Sequence, residues 1–440
     1  MKHALLIPLL LLASWVCFAQ KKKTVVAAPP ADMESFVSAL MEKMTVEEKI
    51  GQLNLVSIGF DVTGPIVSEN VEEKIQKGLV GGVFNTYTPI AVRKLQEMAV
   101  AKTRLKIPLL FGFDVVHGHR TIFPIPLGVA SSWDLAAIER SARIAADEAS
   151  ADGLNWVFSP MVDICRDPRW GRVSEGAGED AWYGSKVAAA MVRGYQGDDL
   201  TANNTVMACV KHFALYGGAQ AGRDYHSVDM SERTMLQDFM PPYKAAIDAG
   251  VGSVMSSFND INGIPATANS WLLTDLLRKQ WGFKGLVATD YTAVYELIPH
   301  GISENAYEAA MDGLNAGNDM DMVSEIFVNN IGQLIKDGKI KQETLDAACR
   351  RVLEAKFRLG LFVDPYRNVN EQRASKTLLQ QAYRNAARDI ARKSFVLLKN
   401  DNVLPLAKKG SVALIGPLAR NKRDMIGNWS GAGDWQKAVS

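Results

Sequence analysis

The chain has 440 residues, 48% of them hydrophobic, with 49 lysines and arginines against 48 aspartates and glutamates. That length suits one large domain plus something smaller. The balanced charge excludes the electrostatic footprint of a nucleic-acid-binding protein or of one held on an anionic membrane surface.

The first segment, "MKHALLIPLLLLASWVCFAQ", has a basic start, a short apolar core, and Cys17 and Ala19 at the small-residue positions of a signal-peptidase site. It is read as a signal peptide over 1–19, followed by a flexible leader over 20–34. The apolar core is too short for a transmembrane span. Trp15 and Val16 before Cys17 make a poor lipoprotein signal, so a soluble exported, periplasmic protein is expected over an extracellular or lipid-anchored one. The other cysteines, Cys165, Cys209 and Cys349, lie far apart and are read as buried free thiols.

Eight short apolar runs then alternate with helical patterns: 53–59, 79–85, 107–114, 154–163, 206–213, 251–259, 285–290 and 313–320. Continuous apolar runs are what a parallel sheet covered on both faces requires. Between them lie stretches such as 134–153, with apolar residues at helical spacing and a glycine near the stop. The pattern predicts a (β/α)8 barrel of the TIM type over 35–365. A doubly wound open sheet is the alternative, but no Gly-rich phosphate loop follows the first strand. The eighth run, "GLNAGNDM", is the weakest strand by propensity.

In such a barrel the C-terminal strand ends ring the active-site mouth. Asn85, Asp114, Asp163, Lys211, His212, Asn259, Asp290 and Asp319 all fall at predicted ends. Any one of them could be a helix cap. A lysine and a histidine beside several carboxylates on one rim favour a site. His117 and His119 are two histidines at i, i+2 with no evident third ligand, so they are read as residues that line the pocket or support those that do; no metal and no cofactor is expected.

Beyond 365 the barrel pattern stops. Residues 366–395 read as a linker and helix, and 396–440, with a strand over "SVALIGPLA" (411–419), as the start of a second α/β sandwich domain. One strand and one helix cannot bury a core. The chain is therefore expected to be a fragment.

The stretches "FGFDVVHGHR", "FSPMVDICRDPRWGRVSEGAGED", "VKHFALYG", "PPYKAAIDAGVGSVMSSFNDINGIPA", "WGFKGLVATDY" and "FVLLKNDNVLPL" together resemble glycoside hydrolase family three. The resemblance implies a retaining β-glucosidase that acts through a covalent glycosyl-aspartate. It puts the nucleophile at Asp290, where the family's Ser-Asp-Trp or Ser-Asp-His reads Thr289, Asp290 and Tyr291. It also implies that Asp114, Arg172, Lys211 and His212 bind sugar hydroxyls. Those residue types suit sugar binding, since carboxylates accept from hydroxyls while lysine and arginine donate to them. Nearby cations are expected to keep the pKa of Asp290 low.

Two departures stand out. The family's Ser-Tyr-Asn reads Ser257, Phe258 and Asn259, so Phe258 cannot make a tyrosine's polar contact. The His-Asp acid/base of the N-acetylglucosaminidase branch is absent after Lys211-His212, and Asp224 and His226 are read as loop residues. A retaining glycosidase needs a second carboxyl about 5 to 5.5 Å from the nucleophile. The resemblance implies an acid/base glutamate beyond residue 440, with Glu175 and Glu179 in a structural loop. Such a chain would be crippled on ordinary β-glucosides yet able to act on activated aryl glycosides.

The alternatives are a β-xylosidase of the same family, an aldolase-like barrel with Lys211 as Schiff-base nucleophile, and a non-catalytic sugar-binding protein. Borohydride trapping separates the aldolase, and a fluoro-glycoside label on Asp290 separates the binding protein. The expected partner is a β-linked glucose-containing oligosaccharide or glucoside, with no nucleic acid and no membrane span.

Overall fold

Eight short strands form one parallel sheet in the computed structural model, which describes residues 32–58 and 68–438. The predicted signal peptide and nearly all of the leader lie outside these residues. The first helix, Met33–Met41, starts on the cap of Asp32.

The strands are β1 (Asn54–Ser57), β2 (Gly82–Phe84), β3 (Leu110–Phe113), β4 (Trp156–Val157), β5 (Met207–Phe213), β6 (Ser253–Ser256), β7 (Leu286–Thr289) and β8 (Asp321–Met322). They pair in the order β8-β1-β2-β3-β4-β5-β6-β7. A parallel bridge between Ala288 and Met320, with Thr289 N–H donating to Met320 O at 2.8 Å, closes the ring.

Although every strand is buried, residues alternate between two cores. Leu55, Phe84, Leu110, Met207, Cys209, Met255, Leu286 and Ala288 fill the barrel interior. Val56, Val83, Phe111, Ala208, Val210, Val254 and Val287 pack outward under the helices. This is the period-two geometry of a strand with both faces covered. Gly112 serves the interior: a Cβ there would lie 2.6 Å from the Phe158 ring, which plugs the barrel. The helix predicted over 134–153 is Leu135–Ala151, capped by Asp134.

The eighth run needs correcting. Residues 313–316 end the helix Ala306–Ala316, Gly317 turns the chain at φ 122°, and the strand is Asp321–Met322. Gly and Asn gave little β signal, and helix and strand meet within the run.

The helices Glu371–Thr377 and Gln381–Lys393 pack on the outside, where Tyr383 and Arg373 both engage Asp147. The predicted strand at 411–419 does not form. Val412, Leu414, Ile415 and Leu418 stand exposed, because a strand needs ladder partners and none occurs for it among the described residues. Among the described residues no helix is long and apolar enough to cross a membrane. Cys165, Cys209 and Cys349 are buried free thiols.

Candidate active site

The alternation that fills the barrel also aims its rim. Leu110, Gly112 and Asp114 are in phase, as are Met207, Cys209 and Lys211, and Leu286, Ala288 and Asp290. The two carboxylates and the lysine therefore follow interior positions and meet at the C-terminal mouth. Lys211 Nζ donates to Asp114 Oδ1 at 2.8 Å, with both side chains almost wholly buried. The register of β5 with β6 slips between Val210 and Phe213, and His212 joins the site as well.

His212 is fixed from both sides. Its Nδ1 lies 2.8 Å from Asp163 Oδ2, and its Nε2 lies 2.8 Å from Arg172 Nη2. Burial, Arg172 and Lys211 lower its pKa well below the ordinary histidine range, so the ring is neutral. A guanidinium can only donate, so Nε2 accepts and the proton sits on Nδ1, donated to Asp163. Asp163 also accepts from His212 N at 3.0 Å, Tyr216 N at 3.1 Å and Tyr243 OH at 2.5 Å. Burial pushes its carboxyl up to about 6 against these bonds. Asp163 thus orients His212 from behind.

Arg172, on the short 3-10 turn Gly171–Glu175, forks onto Glu175 through Nε at 2.7 Å and Nη2 at 3.1 Å. Burial opposes the charge on Glu175, but Arg172, with Lys211, outweighs it and holds that carboxyl below its ordinary range. The guanidinium also covers the Tyr216 ring at 5.2 Å.

Asp290 follows β7. Its Oδ1 accepts from Tyr291 N at 2.6 Å, while its buried Oδ2 accepts no hydrogen bond. His212 Nε2 stands 3.5 Å from that oxygen; with its lone pair turned to Arg172, it has no proton to give. Burial raises the Asp290 carboxyl to about 6, against Arg172, Lys211 and the Tyr291 amide. Here the expected low pKa is overturned: the cations are present, but desolvation in the barrel mouth is the larger effect.

The structure thus brings Asp114, Arg172, Lys211, His212, Asp163 and Asp290 together. Asp319 does not join them. It precedes β8 at the opposite end, where Arg278 and Arg351 each donate to it at 2.7 Å. Asn85 donates to Ser57 Oγ at 3.1 Å, and Asn259 lies buried beside Ser257. His119 Nε2 meets Asp152 at 2.8 Å, and His117 spans Phe123 O and Asn428 O. Asp224 accepts from the Trp170 indole at 2.9 Å.

Sequence reading passed over two side chains near Asp290. Tyr225 packs edge-on against Phe258, with ring centroids 4.9 Å apart. Burial, then Asp290, raises the Glu296 carboxyl to about 7. Both line an open cavity of about 320 Å³ with Pro299 and His300. Only the helical turn after β7 could have hinted at Glu296, which lies just past the strand end.

A parallel β/α barrel with a cluster of buried charges on its C-terminal rim is the class of protein that fold and site define. Residues 45–355 match the glycosyl hydrolase family 3 N-terminal domain, and the chain belongs to that family. It is 47% identical over 415 residues to a periplasmic beta-glucosidase of Salmonella typhimurium, covering 93% of this chain and 54% of the relative. A putative beta-xylosidase of Formosa agariphila is 34% identical, with 88% and 54% covered. The crystal structure of a beta-glucosidase from Listeria innocua in complex with isofagomine superposes with a TM-score of 0.88 at 41% identity, covering 92% of this chain and 57% of that one. The chain spans about half the length of the curated relatives it matches.

Proposed function

We propose that this chain carries the sugar pocket and the nucleophile of an exported retaining β-glucosidase acting on terminal β-D-glucosyl residues of oligosaccharides or glucosides. The observation that carries the reading is Asp290: one oxygen is pinned by a backbone amide, and the other is buried, unpartnered and ringed by polar groups. A nucleophile needs that combination of fixed direction and a free lone pair.

In this reading Asp114, Lys211, Arg172 and His212 hold the sugar hydroxyls and Asp290 Oδ2 attacks the anomeric carbon. The carbon–oxygen bond to the leaving group breaks with its electron pair on that oxygen, leaving a glycosyl ester. Water then attacks the same carbon and releases a proton to solvent, where the departed oxyanion can take it up, freeing the carboxylate and a sugar of retained configuration. Asp114 and Glu175 are each ion-paired, with Lys211 and Arg172, and neither is assigned as the acid for the leaving oxygen. The reading therefore expects leaving groups that depart without protonation to react best. Export is supported by the predicted signal peptide and by the relative named as periplasmic.

The test is mass spectrometry after incubation with an aryl 2-deoxy-2-fluoroglucoside. An adduct on the Asp290 peptide is expected, and a folded protein left unlabelled overturns the reading. The β-xylosidase relative supports a second version with xylose in the same pocket. Faster labelling by the fluoroxyloside would favour it.

A further inference from the structure

Tyr243 reaches the site from outside the barrel. It lies in the first turn of the helix Pro241–Asp248, which packs against β5, and its ring is wholly buried edge-on to Phe213, with centroids 5.5 Å apart. The hydroxyl has three polar neighbours and one proton. Leu215 N donates to it at 3.2 Å, while Asp163 Oδ1 at 2.5 Å and the His212 carbonyl at 2.8 Å compete to accept from it. A carboxylate is the stronger acceptor, and here also the nearer one, so the proton goes to Asp163.

With that bond made, Asp163 has one donor for each of its four lone pairs: Tyr243 OH and Tyr216 N on Oδ1, His212 N and Nδ1 on Oδ2. Without the tyrosine proton, the buried carboxylate would be short of a donor, which favours its taking up a proton instead. A neutral acid accepts more weakly and can itself donate, so its hold on the Nδ1–H tautomer of His212 would slacken. The other tautomer puts a hydrogen on Nε2, which faces Arg172 Nη2 at 2.8 Å, and two donors cannot pair there. The Nε hydrogen and both Nη2 hydrogens of Arg172 are placed on Glu175 and His212, which leaves Nη1 to meet a ligand. A turned tautomer would therefore disturb the guanidinium as well as the imidazole.

We propose that Tyr243 is a positioning residue: by donating to Asp163 it fixes the tautomer of His212 and, through it, the fork of Arg172, so that both meet the sugar hydroxyls in register. This deepens the glycosidase reading above and rests on it. Tyr243 lies behind His212 and acts only through these partners.

The test compares Tyr243→Phe, which keeps the buried ring, with the wild type. In inactivation by the aryl 2-deoxy-2-fluoroglucoside, with thermal melting to check folding, the half-saturating concentration should rise roughly fivefold and the maximal rate stay within about twofold. Nitrogen-15 NMR of the His212 imidazole, assigned by its loss in His212→Gln, should show one protonated and one bare ring nitrogen in the wild type. In Tyr243→Phe the two signals should move toward each other as the tautomers mix. Asp163→Asn, whose amide can present a donor to Nδ1, marks the turned extreme. Weaker labelling with wild-type ring signals would reduce Tyr243 to a packing role and overturn the proposal, as would labelling that the substitution leaves untouched. A wild type that does not label at Asp290 removes the glycosidase reading and the link to sugar binding, whereas the ring signals need no sugar and report the role of Tyr243 separately.

Discussion

Asp290 and Asp319 are both aspartates buried among cations, at opposite ends of the barrel. Asp319 is saturated: Arg351 donates to Oδ1, while Arg278 and the Val287 amide donate to Oδ2. Asp290 makes one backbone hydrogen bond, and its second oxygen has no donor. Burial of charge alone does not mark a site. What separates the two ends is whether the buried charge has been given all its partners, and an incompletely partnered carboxylate is costly unless it works on something.

Exchanging each aspartate for asparagine tests that contrast most severely. Asp290→Asn should abolish fluoroglucoside labelling and cut aryl glucoside turnover by about 10³-fold or more, read by mass spectrometry and initial rates. Its melting temperature should hold or rise, since a desolvated carboxylate without a full set of partners is removed. Asp319→Asn should do the reverse: about 3 kcal/mol of stability lost in denaturant melts, because two partly buried guanidinium groups lose their counter-charge. Activity per folded molecule should stay near wild type.

A smaller effect is expected at Lys356, also away from the rim. It is wholly buried, and its ammonium donates to Gln52 Oε1 at 2.5 Å. Burial lowers its pKa to about 7. The folded state thus resists the proton that the unfolded chain still binds up to about 10.5, so this group makes stability rise with pH between about 7 and 10.5. Lys356→Met should stabilise the protein by about 1–4 kcal/mol at pH 7 and flatten that rise. A fall in stability would show that the lysine's hydrogen bond outweighs its desolvation.

The mildest probe is pH. With the Asp290 carboxyl raised to about 6, the ionised form that the proposed nucleophilic role requires is lost as pH falls through that value, so labelling should drop about tenfold per unit below pH 6. For stability the sign is opposite: ionising this desolvated group costs the folded state increasingly from about pH 4 to 6, a penalty that Asp290→Asn should erase. A labelling profile flat down to pH 4 would mean that the cations outweigh burial after all.

Much of the rim was legible because its residues close continuous apolar runs; the structure adds their phase through the period of two. Once 110–114, 207–211 and 286–290 are read as strands with interior Leu110, Met207 and Leu286, Asp114, Lys211 and Asp290 must follow them to the mouth. Asp319 was misplaced for the complementary reason. In "GLNAGNDM" a helix end, a turn and a strand start share one short run, so position within an apolar stretch gave the wrong end of the barrel.

By itself, then, the sequence determined the parallel barrel and the position of Asp114, Lys211 and Asp290 at strand ends, because continuous apolar runs and the polar residues that close them are local features. Only the tertiary structure decided which polar groups are neutralised and which are left open. The hold of Asp163 and Tyr243 on His212, the reach of Arg172 to His212, and the docking of Trp429 over Lys211 all depend on residues far apart in the chain. Desolvation, which raises the Asp290 pKa despite its cations, depends on everything packed around the carboxyl, and no local pattern of residues encodes that.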